Sequence, residues 1–364
     1  MHIAFRVDAG MTMGSGHVMR CATLAHALVA KGYQVCFYTR PQAGDLCQWL
    51  IAQGFIVIKL EPANNAHDQY ATEHGAWLGT TQREDAKQTL AAIKQQPNFW
   101  IVDHYGLDSY WHSLVIKGTP ALVIDDLADR NYSASLLLDQ NLGRKKSDYN
   151  KLTSAEVLAG LDYVLLRPEF LSARKISNIR QSLEHIVITM GGVDQPNASG
   201  LSLTALLAAE IPTLKSIMVI LGQANPHRED IEQRARTSKP INIQIVQGVG
   251  NMAERLRNAD LAIGAAGTTS WERCAVGLPT IIIELAANQK LAAEALFATG
   301  AAELVRLNEI GDKLAQVACR IASTPGLLTN MSERAFELVD AEGTKRVVAR
   351  IIDSLEQSQL NPNS

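Results

Sequence analysis

The sequence has few aromatic residues, little net charge, and no cysteine spacing that suggests a metal or a bridge. Phe, Trp and Tyr make up only 5 % of its 364 residues. The five cysteines, Cys21, Cys36, Cys47, Cys274 and Cys319, are odd in number, and no two have CxxC spacing. A disulfide framework and a zinc site are therefore not expected, and reduced thiols in a cytoplasmic protein fit best. The formal charge is −3, too small to attract nucleic acid or an anionic membrane surface. A small anionic ligand stays open, because helix N-termini and local Arg or Lys bind phosphate on a mildly acidic protein. No apolar run approaches the length that spans a bilayer. The chain opens on a strand pattern, His2 to Asp8, not a leader. There is no short-period repeat and no low-complexity segment.

What the chain has instead is Ala, Leu and Ile, with 47 % apolar residues. That mix suits helices packed on buried parallel strands. Strand patterns fall near 2–8, 33–39, 55–59, 98–103, 120–125 and 135–139, with helical patterns near 17–31, 43–53, 83–96 and 108–117. A second series begins near 185: strands near 185–190, 215–221, 241–246, 260–264 and 280–284, helices near 199–209, 227–237, 251–258, 269–276 and 288–298, then two or three helices to about 357. Length alone suggests two domains of about 150 residues or more each. The expected division is a Rossmann-like domain at 1–167, a linker at 168–183, a second Rossmann-like domain at 184–350 and a tail at 351–364, frayed from Gln357 to Ser364. The fold class is α/β, with two parallel sheets facing a central cleft. The polar segment 60–82 reads as a loop and a candidate lid.

In such sheets ligands bind beyond the carboxyl ends of the strands, so the loops after strands matter most. The first runs from Asp8 to His17 and includes Gly14 and Gly16, which let backbone approach a ligand closely. His17 opens the next helix and is a candidate acid or base; an ordinary tight turn with a capping histidine fits the same residues. The dinucleotide fingerprint is incomplete: its third glycine would fall at Met19, and the second strand ends in Arg40 instead of an acid. Met190-Gly191-Gly192 offers backbone N–H groups to a phosphate. Gly264-Ala265-Ala266-Gly267-Thr268-Thr269-Ser270 leads into a helix and suits a diphosphate, with Glu272 placed to accept two ribose hydroxyls. The plain alternative is a capped helix with Glu272 as a first-turn acid. Asn288-Gln289 follows the strand 280–284 and reads equally as a helix start. Asp103-His104-Tyr105-Gly106 and Asp125-Asp126 also end strands. Adjacent Asp residues on a strand point to opposite faces, so no metal site is expected there.

Taken in order, these loops, together with Asp125 to Arg130, Leu166-Arg167-Pro168-Glu169-Phe170 and Gly277-Leu278-Pro279, resemble the PseG family. Its members are the UDP-2,4-diacetamido-2,4,6-trideoxy-β-L-altropyranose hydrolases of pseudaminic acid synthesis. The resemblance runs from residue 1 to about 350. It implies a GT-B fold related to the MurG glycosyltransferases, and release of UDP with inversion at C1, without a metal or other cofactor. It also implies that His17 deprotonates the attacking water, that Tyr105 and Asn288 lie near the sugar, that Glu272 takes the ribose and that the 264–270 turn takes the diphosphate. The chain departs from compact members by continuing through several helices, which in GT-B proteins often cross back to the first domain. A small-molecule UDP-sugar is the expected partner of a monomer, with no nucleic acid or membrane involved. The competing readings are a glycosyltransferase using the same donor and a nucleotide-binding protein without catalysis; a nicotinamide oxidoreductase is disfavoured by the incomplete fingerprint.

Overall fold

The computed structural model describes residues 1–63, 74–223, 225–236, 241–285 and 289–360. The chain divides into two compact units, Met1–Leu165 with Glu342–Ser364, and Leu166–Ala341. Each is an open, wholly parallel sheet with helical crossovers.

The first unit contains β1 (His2–Val7), α1 (Gly16–Val29), β2 (Gln34–Thr39), α2 (Cys47–Ala52), β3 (Ile56–Lys59), α3 (Gln82–Ala92), β4 (Phe99–Asp103), α4 (Ser109–Val115), β5 (Ala121–Ile124), β6 (Leu136–Asp139) and β7 (Glu156–Ala159). The sheet order is β3-β2-β1-β4-β5-β6-β7. Alternation along β1 sorts side chains onto two faces. Ile3, Phe5 and Val7 join one core with Val18, Leu24 and Leu28 of α1. Ala4 joins a second core with Trp100, Val102 and Trp111. Arg6, on that second face, is fully buried and held by Asp8 and Asp85, each at 2.6 Å. Arg40, the residue that spoiled the dinucleotide pattern, is locked on Asp85 at 2.7 Å.

The second unit contains α5 (Pro168–Lys175), β8 (His185–Thr189), α6 (Ala198–Leu207), β9 (Ser216–Leu221), α7 (Arg228–Ala235), β10 (Asn242–Gln247), α8 (Met252–Arg257), β11 (Leu261–Ala265), α9 (Thr269–Ala275), β12 (Thr280–Glu284), α10 (Lys290–Ala298), β13 (Ala302–Arg306), α11 (Ala315–Ser323) and α12 (Leu327–Leu338). Its strand order is β10-β9-β8-β11-β12-β13. The last helix, α13 (Gly343–Leu360), returns to the first unit, where Val347, Val348, Ile351 and Leu355 are buried in the core that contains α1.

Two expectations need correction, and two strands are additional. Residues 168–183 are not a linker: α5 packs on α8 and α9, and buried Arg180 donates to the carbonyls of Ala259 (3.1 Å), Arg257 (2.9 Å) and Gly277 (3.1 Å). Residues 351–360 are not a tail outside the domains but the apolar-faced second half of α13. The edge strands β7 and β13 were not anticipated. The lid reading of 60–82 falls partly outside the described residues; of the described part, Gly75–Leu78 forms a turn of 3-10 helix.

Both sheets reverse strand order beside their first strand, between β1 and β4 and between β8 and β11. Loops diverge at such a switch point and leave room for a ligand. Val7 lies opposite Asp103 across the first, and Thr189 opposite Gly264 across the second. The loops after β1 and β4 therefore pair at one switch point and those after β8 and β11 at the other, while Asp125-Asp126 and Gln289 follow the neighbouring strands β5 and β12.

Candidate functional sites in the two units

In the first unit the loop after β1 folds back on itself. Gly14 N–H donates to the Gly10 carbonyl at 2.8 Å, and Gly14 has φ +76°, in the region that disfavours a side chain. Gly16 and His17 then begin α1. The His17 ring is 7 % exposed and its Nδ1 lies 2.6 Å from Asp103 Oδ1. Asp103 is fully buried. Burial alone would raise its carboxyl, yet the Arg20 guanidinium and His17 hold it well below the ordinary carboxylate range. An ionised carboxylate only accepts, so a proton sits on His17 Nδ1, and in the neutral ring the lone pair is on Nε2. This is the orientation a general base needs.

Arg20, one turn along α1, makes the rest of the arrangement. Its Nε donates to Asp103 Oδ2 at 2.6 Å, Nη2 to Asp103 Oδ1 at 2.7 Å, and Nη1 to Asp126 Oδ2 at 2.6 Å. The Tyr105 hydroxyl donates to that same Asp126 oxygen, while Asn141 donates to Oδ1 at 2.8 Å. Tyr105 is buried, which raises its hydroxyl well above the usual value, with the Asp126 charge adding to the effect. Its ring stands edge-on to His17 at 4.5 Å and stacks with Trp77 at 5.6 Å. Of the residues expected here, His17, Gly14, Gly16 and Tyr105 are thus brought together. Arg20, Trp77 and Asn141 were missed. The sequence hint for Arg20 was a cation three positions after His17 on an otherwise apolar helix face.

In the second unit Gly191 has φ +89° and Gly192 packs against Gly222, whose Cβ would fall 2.0 Å from the Gly192 carbonyl oxygen. Asp194 closes this loop by accepting from the N–H groups of Ala198 (2.8 Å) and Ser199 (2.9 Å). Across the switch point lies the 264–270 turn. The N–H groups of Ser270 and Trp271 donate to the Gly267 and Thr268 carbonyls at 2.9 and 3.1 Å, which closes the turn into the helix. Thr268 occupies the N-cap position, and its side chain makes no capping bond. Ser270 departs from expectation. It is buried, and its hydroxyl accepts from Arg273 Nη2 at 2.9 Å, so it braces the turn from inside. Thr268, Thr269 and Gly267 remain partly exposed, while Ala266 is buried. Arg273 also donates to the Ala265 carbonyl at 2.8 Å. Gly264 leaves room for it: a Cβ there would lie 1.9 Å from Arg273 Nη1. Burial lowers Arg273 to about 10.

Glu272 is mostly buried, and Arg167 Nη2 donates to its Oε1 at 3.1 Å. Burial raises the Glu272 carboxyl, and Arg167 partly offsets this. Trp271 is buried in the second unit. Gln289 precedes α10, with its Oε1 accepting from Leu285 N–H at 3.4 Å; Asn288 lies outside the described residues.

Comparison with known proteins places the chain in a structural class. Its two parallel-sheet units have the GT-B fold of glycosyltransferases. It superposes on Acinetobacter baumannii MurG with TM-score 0.69 at 19 % identity, covering 97 % of this chain and 99 % of that one. The Phytolacca americana UGT2 structure, complexed with UDP-2fluoro-glucose and pterostilbene, gives TM-score 0.67 at 13 % identity, covering 98 % and 99 %. More particularly, residues 185–347 match the glycosyltransferase family 28 C-terminal domain. Among curated proteins, the chain is 26 % identical over 368 residues to the spore coat polysaccharide biosynthesis protein SpsG of Bacillus subtilis (strain 168), covering 98 % of this chain and 99 % of that protein. The chain is therefore glycosyltransferase-like in fold and in its second unit. No helix among the described residues is long and apolar enough to cross a membrane.

Proposed function

We propose that the protein is an enzyme that hydrolyses a UDP-sugar at the C1–O bond, releasing UDP and the free sugar with inversion. The substrate class proposed is UDP-2,4-diacetamido-2,4,6-trideoxy-β-L-altropyranose, from the resemblance of the loops to the PseG hydrolases. The observation that carries the reading is His17, whose Nδ1 is fixed on Asp103 at 2.6 Å so that Nε2 is free to take a proton. The 264–270 turn takes the diphosphate through backbone N–H groups, with Thr268 and Thr269 beside them, and Glu272 takes the ribose. The match to a family 28 C-terminal domain supports that assignment.

C1–O cleavage passes through an oxocarbenium-like state, and inversion requires water on the face opposite the leaving group. Diphosphate is already a fair leaving group, and preorganised N–H donors stabilise its growing charge. His17 removes the proton from the attacking water, and Asp103 stabilises the imidazolium that forms.

A second reading is favoured by the MurG-like fold: transfer of the same sugar to an acceptor hydroxyl, with His17 deprotonating that hydroxyl instead of water. Incubating the full chain with the UDP-sugar and no acceptor separates the two. Hydrolysis predicts stoichiometric UDP and, by NMR, the inverted anomer of the free sugar first. UDP release that depends on an added acceptor would favour transfer.

A further inference from the structure

Arg20 is 5 % exposed and makes three charge-assisted bonds to two carboxylates from different strand ends. Asp103, at the end of β4, holds His17; Asp126, just after β5, holds Tyr105. No other cation among the described residues bonds both carboxylates. Its Nη2 also lies 3.3 Å from His17 Nδ1. Both atoms are donors, so this contact is a cation beside the ring and not a bond.

We infer that Arg20 is a positioning residue that ties His17 and Tyr105 into one rigid unit and offsets the Asp103 charge facing the imidazole. The functional meaning of this inference rests on His17 being the base proposed above; the arrangement itself does not. A His held by an uncompensated buried carboxylate would bind a proton more tightly and would be a poorer base near neutrality. With Arg20 forked onto both oxygens of Asp103, the carboxylate still orients the ring but presents less net charge to it. A fork is required, because a single ammonium cannot bond Asp103 and Asp126 with the same geometry. The other groups around the ring are accounted for. Cys21 Sγ lies 3.5 Å from Asp103 Oδ2, its thiol held high by burial, and Tyr105 is held protonated by burial beside Asp126. His74 sits beyond Tyr105 at 5.5 Å between rings.

The test is NMR titration of the His17 ring in the full-length protein, without any substrate. Arg20→Met is expected to raise the proton affinity of the ring at least about tenfold, while Arg20→Lys, which keeps the charge, stays within about threefold. An unchanged titration midpoint in Arg20→Met would overturn the inference. Removing Arg20 alone leaves two buried carboxylates without a partner cation and threatens folding. The double variant Arg20→Met with Asp126→Asn keeps the net charge of the Arg20, Asp103 and Asp126 group. It still leaves Asp103 uncompensated against His17. A smaller rise in the same direction is expected there, because the Asp126 charge that also favours the protonated ring is lost with it, and no rise at all would also overturn the inference. In parallel, UDP-sugar hydrolysis that survives His17→Ala would remove the base reading and leave the titration result standing, so the two failures are distinguishable.

Discussion

At the scale of single residues, the proposed chemistry depends on one imidazole, His17, oriented by Asp103. General-base help is worth about 10²–10⁴-fold. His17→Ala should therefore lose turnover on that order while binding UDP as before, measured by steady-state hydrolysis and by calorimetry with UDP. Turnover unchanged in that variant would take His17 out of the mechanism. Asp103 supplies a second prediction, through stability. Its carboxyl is held well below its ordinary value by Arg20 and His17 against the opposing effect of burial. The folded value is depressed, so the contribution is present above the unfolded value near 4 and is lost as pH falls through the folded value. Asp103→Asn should lose about 3–5 kcal/mol at neutral pH and show a flatter decline of stability below pH about 4. Urea unfolding across that range checks it; parallel curves for the two proteins would contradict it.

The residues that sequence made visible share a physical mark. His17, Gly14, Gly191 and the 264–270 turn are small or polar residues interrupting apolar patterns right after strands, where backbone turns and ligands meet. Arg20 was easily overlooked because its partners lie 83 and 106 positions away, and a lone arginine on a helix reads as a solvated charge despite its place three residues after His17. Ser270 was misread for the converse reason. A hydroxyl at a helix start suits a phosphate and an internal brace equally well, and only the buried guanidinium of Arg273 decides between them.

At the scale of elements, central strands were legible because both faces are covered and the run is continuously apolar, as in Ile281-Ile282-Ile283 of β12. The edge strands β7 and β13 carry Glu156, Glu303 and Arg306, which an edge tolerates and which break the pattern. The closing helix was harder still. Its apolar stripe was periodic, but nothing local says which unit that stripe covers. Val347, Val348, Ile351 and Leu355 are buried in the first unit, and each contributes about 1.5–3 kcal/mol. Their sum rivals the whole stability of a domain, about 5–15 kcal/mol. A chain ended after Glu342 should therefore lose cooperative unfolding of the first unit, seen by calorimetry or by amide exchange in β1 and β4. Native protection there in the truncated chain would contradict this account of α13.

At the scale of the whole molecule, the two units have the same doubly wound plan, and each puts its distinctive loops at its own switch point. The fold itself says only that this is a glycosyltransferase-like chain; one fold serves many chemistries. The specific claim, that water attacks the anomeric carbon and UDP leaves intact, rests on the imidazole and carboxylate of the first unit. Turnover of the UDP-sugar in ¹⁸O-labelled water, followed by mass spectrometry of both products, tests it most directly. The account predicts the label in the C1 hydroxyl of the released sugar and unlabelled UDP. Label in the phosphate of UDP would mean P–O cleavage and would contradict it.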